Sequence, residues 1–121
     1  MSVLVVDGAN VVGSRPDGWW KDRAGAARRL HEQLMTAPID YDEVVLVLEG
    51  AAKGGVAAGR DGHVRTVHAK GHGDDAIVDQ ARVAAERGVR VAVVSADRVL
   101  QGRVLHVGAL TLSPTWLLDQ L

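Results

Sequence analysis

Three unbroken apolar runs, each of strand length and each stopped by a polar residue, constrain the fold of this chain more than any other feature. Ser2–Val6 reads Ser-Val-Leu-Val-Val and ends on Asp7, Val44–Leu48 reads Val-Val-Leu-Val-Leu and ends on Glu49, and Val91–Val94 runs into Ser95 with Asp97 just beyond. Runs that are apolar at every position, not at alternate ones, belong to strands covered on both faces, the condition of a parallel sheet between helix layers. In such sheets ligands bind at the carboxyl ends of the strands. Here those ends are acidic.

The chain between the runs alternates accordingly. Val11–Trp20 holds Gly, Ser, Pro and Asp and reads as a loop over the end of the first strand, carrying Arg15 and closing on Trp19 and Trp20. From about Lys21 to Met35, Ala24, Ala27, Leu30 and Leu34 recur at helical spacing, with Pro38 beyond the end. Gly50–Gly62 is rich in Gly and Ala, with Lys53 and Arg60, and reads as a mobile loop. His63–His68 alternates as a third strand whose polar residues suit a sheet edge. After Lys70-Gly71-His72-Gly73 turns the chain, Asp74 is the expected N-cap of a helix through Ile77, Val78, Ala81, Ala84 and Ala85, ended by Gly88. The Arg90–Ser95 strand follows, then a short helix through Leu100, Val104 and Val107, a fifth strand at Ala109–Leu112, and a closing helix opened by Ser113 and Pro114.

Strand and helix alternation predicts one three-layer α/β domain over residues 1–121 with a mostly parallel five-stranded sheet. Right-handed crossovers favour the order 3-2-1-4-5, with the switch point between the first and fourth strands. That order sets Asp7 beside Asp97 and brings Glu49, Asp74 and Asp75 to the same rim, with Asn10 and Ser95 next to them.

At 121 residues the chain supports a single core. Its formal net charge of −1 excludes a uniformly basic coat but allows a local basic patch facing a local acidic one. The absence of cysteine removes disulfides and thiolate metal sites and makes a reducing cytoplasm the expected location. The apolar run before Asp7 is too short for a leader or a membrane span, so no membrane partner is expected.

A cluster of carboxylates is unfavourable unless a cation or shared protons offset the repulsion. Oxygen ligands of this kind suit Mg²⁺ or Mn²⁺, which can orient a phosphodiester and activate a water. Arg15, Lys21, Lys53, Lys70 and Arg98 fall on loops or element ends at the acidic edge, where cations can hold phosphates. Trp20 and Trp19 are candidates for base stacking, although one of the two is expected to pack the first helix on the sheet. His72 is placed to touch phosphate. A His68–His72 metal site lacks the fixed helical spacing such a pair needs.

Asp7-Gly8-Ala9-Asn10-Val11-Val12-Gly13-Ser14, then Gly73-Asp74-Asp75 at a helix start and Ser95-Ala96-Asp97-Arg98 after a late strand, resemble the NYN branch of PIN-like nucleases, most of all its YacP-like group. The resemblance covers nearly the whole chain. It implies a metal-dependent ribonuclease acting on single-stranded or loop RNA, with Asp7, Asp74, Asp75 and Asp97 as metal-binding acids and Asn10 as an active-site polar group. Arg15, Trp20, Lys53, His72, Ser95 and Arg98 are the expected substrate contacts. It also implies ribosome- or translation-associated RNA among the candidate partners and leaves a homodimer open. The sequence departs from many PIN-like relatives at Leu100 and Gln101, where a further acid stands in those proteins. An RNA-binding or regulatory module with little hydrolysis, and a nucleotide pyrophosphohydrolase, are the alternatives.

Competing motifs fail on their chemistry. Gly71-His72-Gly73-Asp74-Asp75-Ala76 fits the G-x-G-x-x-A dinucleotide pattern, but two aspartates at the helix start would repel a pyrophosphate. No G-x-x-x-x-G-K-[ST] sequence exists, and Asp7-Gly8-Ala9 lacks the second aspartate of a haloacid-dehalogenase-type phosphatase.

Overall fold

The computed structural model describes all 121 residues. The three apolar runs form β1 (Ser2–Asp7), β2 (Glu43–Leu48) and β5 (Arg90–Val94). All three are parallel, with β1 in the middle: Val5 pairs with Val45 on one side and Val93 on the other. β4 (Val64–His68) adds in parallel beside β2, and β6 (Leu110–Leu112) in parallel beside β5. The expected order 3-2-1-4-5 is therefore present as β4-β2-β1-β5-β6.

A sixth strand extends it. β3 (Gly59–Asp61) pairs antiparallel with β4, so the full order is β3-β4-β2-β1-β5-β6. The stretch read as a mobile loop thus holds a 3-10 segment at Gly50–Gly55 and an edge strand. Neither carries an apolar periodicity, because β3 is exposed along its whole length and is held by main-chain pairing. Arg60 of β3 also pairs with Glu43 at the start of β2. Gly55 lies so close to the Arg23–Thr36 helix that a Cβ there would overlap the Ala24 carbonyl oxygen.

Strand alternation divides the core into two layers. Leu4, Val6, Val44, Leu46, Leu48 and Val94 pack under α1 (Gly8–Gly13), α2 (Arg23–Thr36) and α5 (Pro114–Leu118), meeting Val11, Leu30, Leu34 and Leu117. Val3, Val5, Val45, Val47, Val91 and Val93 pack under α3 (Gly73–Glu86) and α4 (Arg98–His106), meeting Ile77, Ala81, Leu100 and Val104. Truncating a fully buried leucine such as Leu4 or Leu46 to alanine costs about 2–5 kcal/mol in cores of this kind. Asp7 continues the parity of Val3 and Val5, and so belongs to the α3 and α4 side.

Local signals account for most element ends. Asp22 caps α2 by accepting from the Gly25 amide at 2.9 Å. Ser113 caps α5 through the Trp116 amide at 3.1 Å, with Pro114 as its first residue. Gly88, at φ +74°, ends α3 and lets the Val89 amide turn back to the Ala84 carbonyl. Two expectations change. The helix after β1 starts at once, at Gly8, and takes in Val11–Gly13, the beginning of the stretch expected as a loop, because the Asp7 side chain accepts from the Asn10 amide and caps it. Asp74 is not the cap of α3; that helix begins at Gly73, with Asp74 and Asp75 in its first turn. No helix is long and apolar enough to cross a membrane.

Candidate active site

The site is built outward from Asp7, which is only 6% exposed at the carboxyl end of the central strand. Its Oδ1 accepts from the Asn10 amide at 3.2 Å and its Oδ2 from the Ser95 hydroxyl at 2.9 Å. The register explains the second contact: Val6 pairs with Val94, so the next step along both strands sets Asp7 level with Ser95. Gly8 is required by the same geometry, since a Cβ there would lie 2.6 Å from the Val47 carbonyl oxygen.

Ser95 relays this corner to the next acid. Its Oγ donates to Asp7 and accepts from the Asp97 amide at 3.1 Å, and the residue is 1% exposed. The expected substrate contact at Ser95 is thereby corrected: its hydroxyl lies beneath the rim, fully engaged in holding Asp7 and the Asp97 backbone. Asp97 Oδ1 caps α4 through the Leu100 amide at 3.0 Å, leaving Oδ2 outside that bond. Asn10 Oδ1 accepts from the Ala96 amide at 2.9 Å, tying α1 to the turn between β5 and α4. Gln101 donates to the Ser95 carbonyl at 2.7 Å and so braces the same turn.

The second half of the rim comes from β2 and α3. Glu49, one residue past β2, accepts from the Gly73 amide at 2.7 Å and caps α3 from a distant strand. His72 stands at the cap position itself and makes no side-chain cap bond. Asp74 follows in the first turn. Asp75 points its bonding elsewhere: its Oδ1 pairs with Arg103 of α4 at 2.9 Å, and its side chain is 82% exposed. Of the expected set, Asp7 feels the charge of Asp74 and Asp74 that of Asp97, while Asp75 is diverted into an ion pair with Arg103.

Charge crowding is visible in two of the acids. Burial pushes the Asp7 carboxyl up from its ordinary range; the Ser95 and Asn10 bonds oppose this, and the charges of Asp74 and Glu49 add to it. Burial also raises Asp74, reinforced by Asp97 and Glu49 and opposed by Arg103 and His72. Hard carboxylate oxygens under mutual repulsion are the donor chemistry of Mg²⁺ or Mn²⁺. No three carboxylate or imidazole groups stand close enough together to form a ready-made chelate, so closing around an ion requires side-chain rotation.

The remaining expected contacts fall into two groups. Arg98 and His72 are exposed at the starts of α4 and α3, Arg15 is half-buried just after α1, and Trp20 is 57% exposed, edge-on to Trp19 with ring centroids 5.9 Å apart. Of this pair, Trp19 is the one that packs on the core. Lys53, expected to meet substrate, instead donates to the Ala69 carbonyl at 3.0 Å and pins the 3-10 segment to the end of β4. His68 bonds the Val56 carbonyl at 2.7 Å, which separates its role from that of His72.

Sequence reasoning missed the cleft beside the rim. Gly8, Ala9, Val12, Trp19, Arg23, Leu48, Glu49 and the Gly50–Ala52 turn form its walls with Gly71 and His72. These residues come from four separate segments, and nothing in the spacing of Trp19, Glu49 and His72 along the chain showed that they share one cleft.

Among solved structures, the crystal structure of Rae1 (YacP) from Bacillus subtilis matches with a TM-score of 0.79 at 23% identity, over 98% of this chain and 72% of that one. A mutant of the same protein matches with a TM-score of 0.75 at 20% identity, over 98% and 74%. No family model and no curated protein matches the sequence. The chain has the fold of Rae1 (YacP).

Proposed function

We propose that this chain is a metal-dependent endoribonuclease that hydrolyses single-stranded or loop RNA at the rim formed by Asp7, Asp74 and Asp97. The observation that carries this reading is Asp7: a carboxylate 6% exposed, raised by burial and by its acidic neighbours, at the carboxyl end of the central strand. Carboxylates perturbed by burial and by like charges cluster at sites where the charge is used. The NYN-type fold supports a nuclease.

Asp7, Asp74 and Asp97 would hold Mg²⁺ or Mn²⁺, with Asp75 joining if Arg103 lets go. The bound ion supplies charge stabilisation of the phosphoryl oxygens and a more acidic water. The chain's own part is placement. Ser95 and the Asn10 amide fix both oxygens of Asp7, Asn10 fixes the Ala96 turn that carries Asp97, and Arg15, Arg98 and His72 offer cationic or donor groups to flanking phosphates. Trp20 offers an exposed face for a base. By its resemblance, RNA associated with translation is the first substrate class to examine.

Incubating the protein with unstructured RNA tests the reading. Cleavage is expected with Mg²⁺ or Mn²⁺ and is expected to disappear with EDTA and in Asp7→Asn. The metal is also expected to raise the melting temperature of the wild type and not of the variant. Cleavage that survives both treatments refutes the proposal. A second reading, an RNA-binding module with little hydrolysis, is favoured by Gln101 and by the Asp75–Arg103 pair. RNA binding with no product under single-turnover conditions selects it, and turnover of nucleoside triphosphates in place of RNA selects a pyrophosphohydrolase.

A further inference from the structure

The cleft beside the rim has a volume of about 470 Å³, inside the range of small-molecule sites. Hydrolysis of a phosphodiester by carboxylates and metal has no use for it. Its walls are largely apolar, made by Val12, Leu48, Ala51, Ala52 and the Trp19 ring. Two charged groups enter. Arg23 lays its guanidinium over the Trp19 ring, 5.0 Å from the centroid. Glu49 stands where the cleft meets the rim, one carboxylate oxygen held by the Gly73 amide and Oε1 outside that bond.

A flat group with apolar faces and N–H donors along one edge matches these walls. Within RNA only the base has that form, since sugar and phosphate are polar on every side. An ionised carboxylate accepts and does not donate, and has about four acceptor positions, of which the Gly73 amide takes one. Guanine alone presents two adjacent donors, its ring N1–H and its amino group, to such an anion. Adenine and cytosine set an acceptor next to their amino group, and uracil flanks its single N–H with two carbonyls.

We propose that the cleft is a base-binding subsite for guanine, with Glu49 accepting from its N1–H and amino group and Arg23 beside the attached phosphate. Its position next to the cleaved linkage rests on the ribonuclease reading; the binding of the base does not.

The test titrates guanosine, adenosine, cytidine and uridine into the isotope-labelled protein in EDTA, which removes metal from the result. Guanosine is expected to shift the amides of Ala9, Ala51, Ala52 and Gly71 together with the Trp19 indole, and to bind at least tenfold more tightly than the other three. Glu49→Gln, whose amide oxygen can keep the Gly73 bond, is expected to abolish that preference. Ala51→Trp, at an exposed position that tolerates bulk, is expected to fill the cleft and remove the response to all four while circular dichroism stays unchanged. Equal binding of the four nucleosides overturns the role of Glu49, and no shift, or shifts elsewhere, overturns the cleft. RNA cleavage measured in parallel keeps the two readings apart. Guanosine binding without cleavage removes the ribonuclease and leaves the subsite; cleavage without any nucleoside response does the reverse.

Discussion

The two halves of the acidic rim are built differently. At the Asp7 corner both carboxylate oxygens are engaged, by the Ser95 hydroxyl and the Asn10 amide, and Ser95 passes the constraint on to the Asp97 backbone. At the start of α3, Asp74 is half-buried and Asp75 is exposed and drawn off by Arg103. One half is held by hydrogen bonds to both oxygens of a buried carboxylate, and the other by an ion pair whose partners are exposed. A site divided this way can hold one anchor rigidly and let the rest adjust to an ion and a phosphate, so the halves should respond differently to mutation.

The largest effect is expected at the fixed half. Asp7→Asn should lower RNA cleavage by about 10²–10³-fold, the scale for removing one preorganised electrostatic group from an active site, while its amide oxygen can still accept from the Asn10 amide and its NH₂ group can donate to the Ser95 oxygen in place of the bond Asp7 accepts. Ser95→Ala removes a buried positioning contact and leaves the acids in place. Loss of such an outer partner typically costs about 10–100-fold in metal affinity or activity. The measurement is cleavage against Mn²⁺ concentration, where a raised metal requirement with a retained maximal rate marks positioning. If Ser95→Ala cleaves like the wild type, the fixed corner is no more organised than the mobile one.

Stability should report the same contrast. Asp7 is raised above 3.8 chiefly by burial, so the folded chain holds this proton more tightly than the unfolded chain. Rising pH therefore removes stability, beginning near 3.8 and finishing once the folded carboxyl has ionised; above that the loss is complete. Asp7→Asn escapes it and is expected to melt at a higher temperature than the wild type near neutral pH, because the buried charge is gone. The gap should close as pH falls toward 3.8. A variant that is less stable than the wild type at pH 7 would show that hydrogen bonding, not charge, governs the corner.

What the sequence revealed follows the same physical division. β1, β2 and β5 were legible because they are apolar at every position, and their order followed from connection rules that need no side-chain detail. The approach of Asp7, Asp74 and Asp97 to one edge followed from that order. β3 left no trace because it is exposed along its whole length and its main-chain pairing is indifferent to sequence. The Gly8–Gly13 helix was hidden because Asp7, read as a site residue, is also its cap. Side-chain partners were the least legible: Lys53 on the Ala69 carbonyl, Glu49 on the Gly73 amide and Arg103 on Asp75 each join residues at least 16 positions apart, and such choices depend on rotamers that no periodicity encodes.

Arg103→Ala makes the smallest change and bears most directly on the mobile half. Arg103 is 43% exposed and Asp75 82%, and an exposed pair of this kind contributes about 0–1 kcal/mol, so the melting temperature should scarcely move. Its functional consequence has a definite sign. Removing the guanidinium frees Asp75 to turn toward the rim and also withdraws a charge that lowers the Asp74 carboxyl, leaving the rim more negative. Metal affinity should rise a few-fold, read as a lower Mn²⁺ concentration at half-maximal cleavage, and the gain should vanish in the Arg103→Ala, Asp75→Asn double variant. A weaker metal response in Arg103→Ala would mean that the ion pair holds the first turn of α3 in its working position, and that this half of the rim is fixed after all.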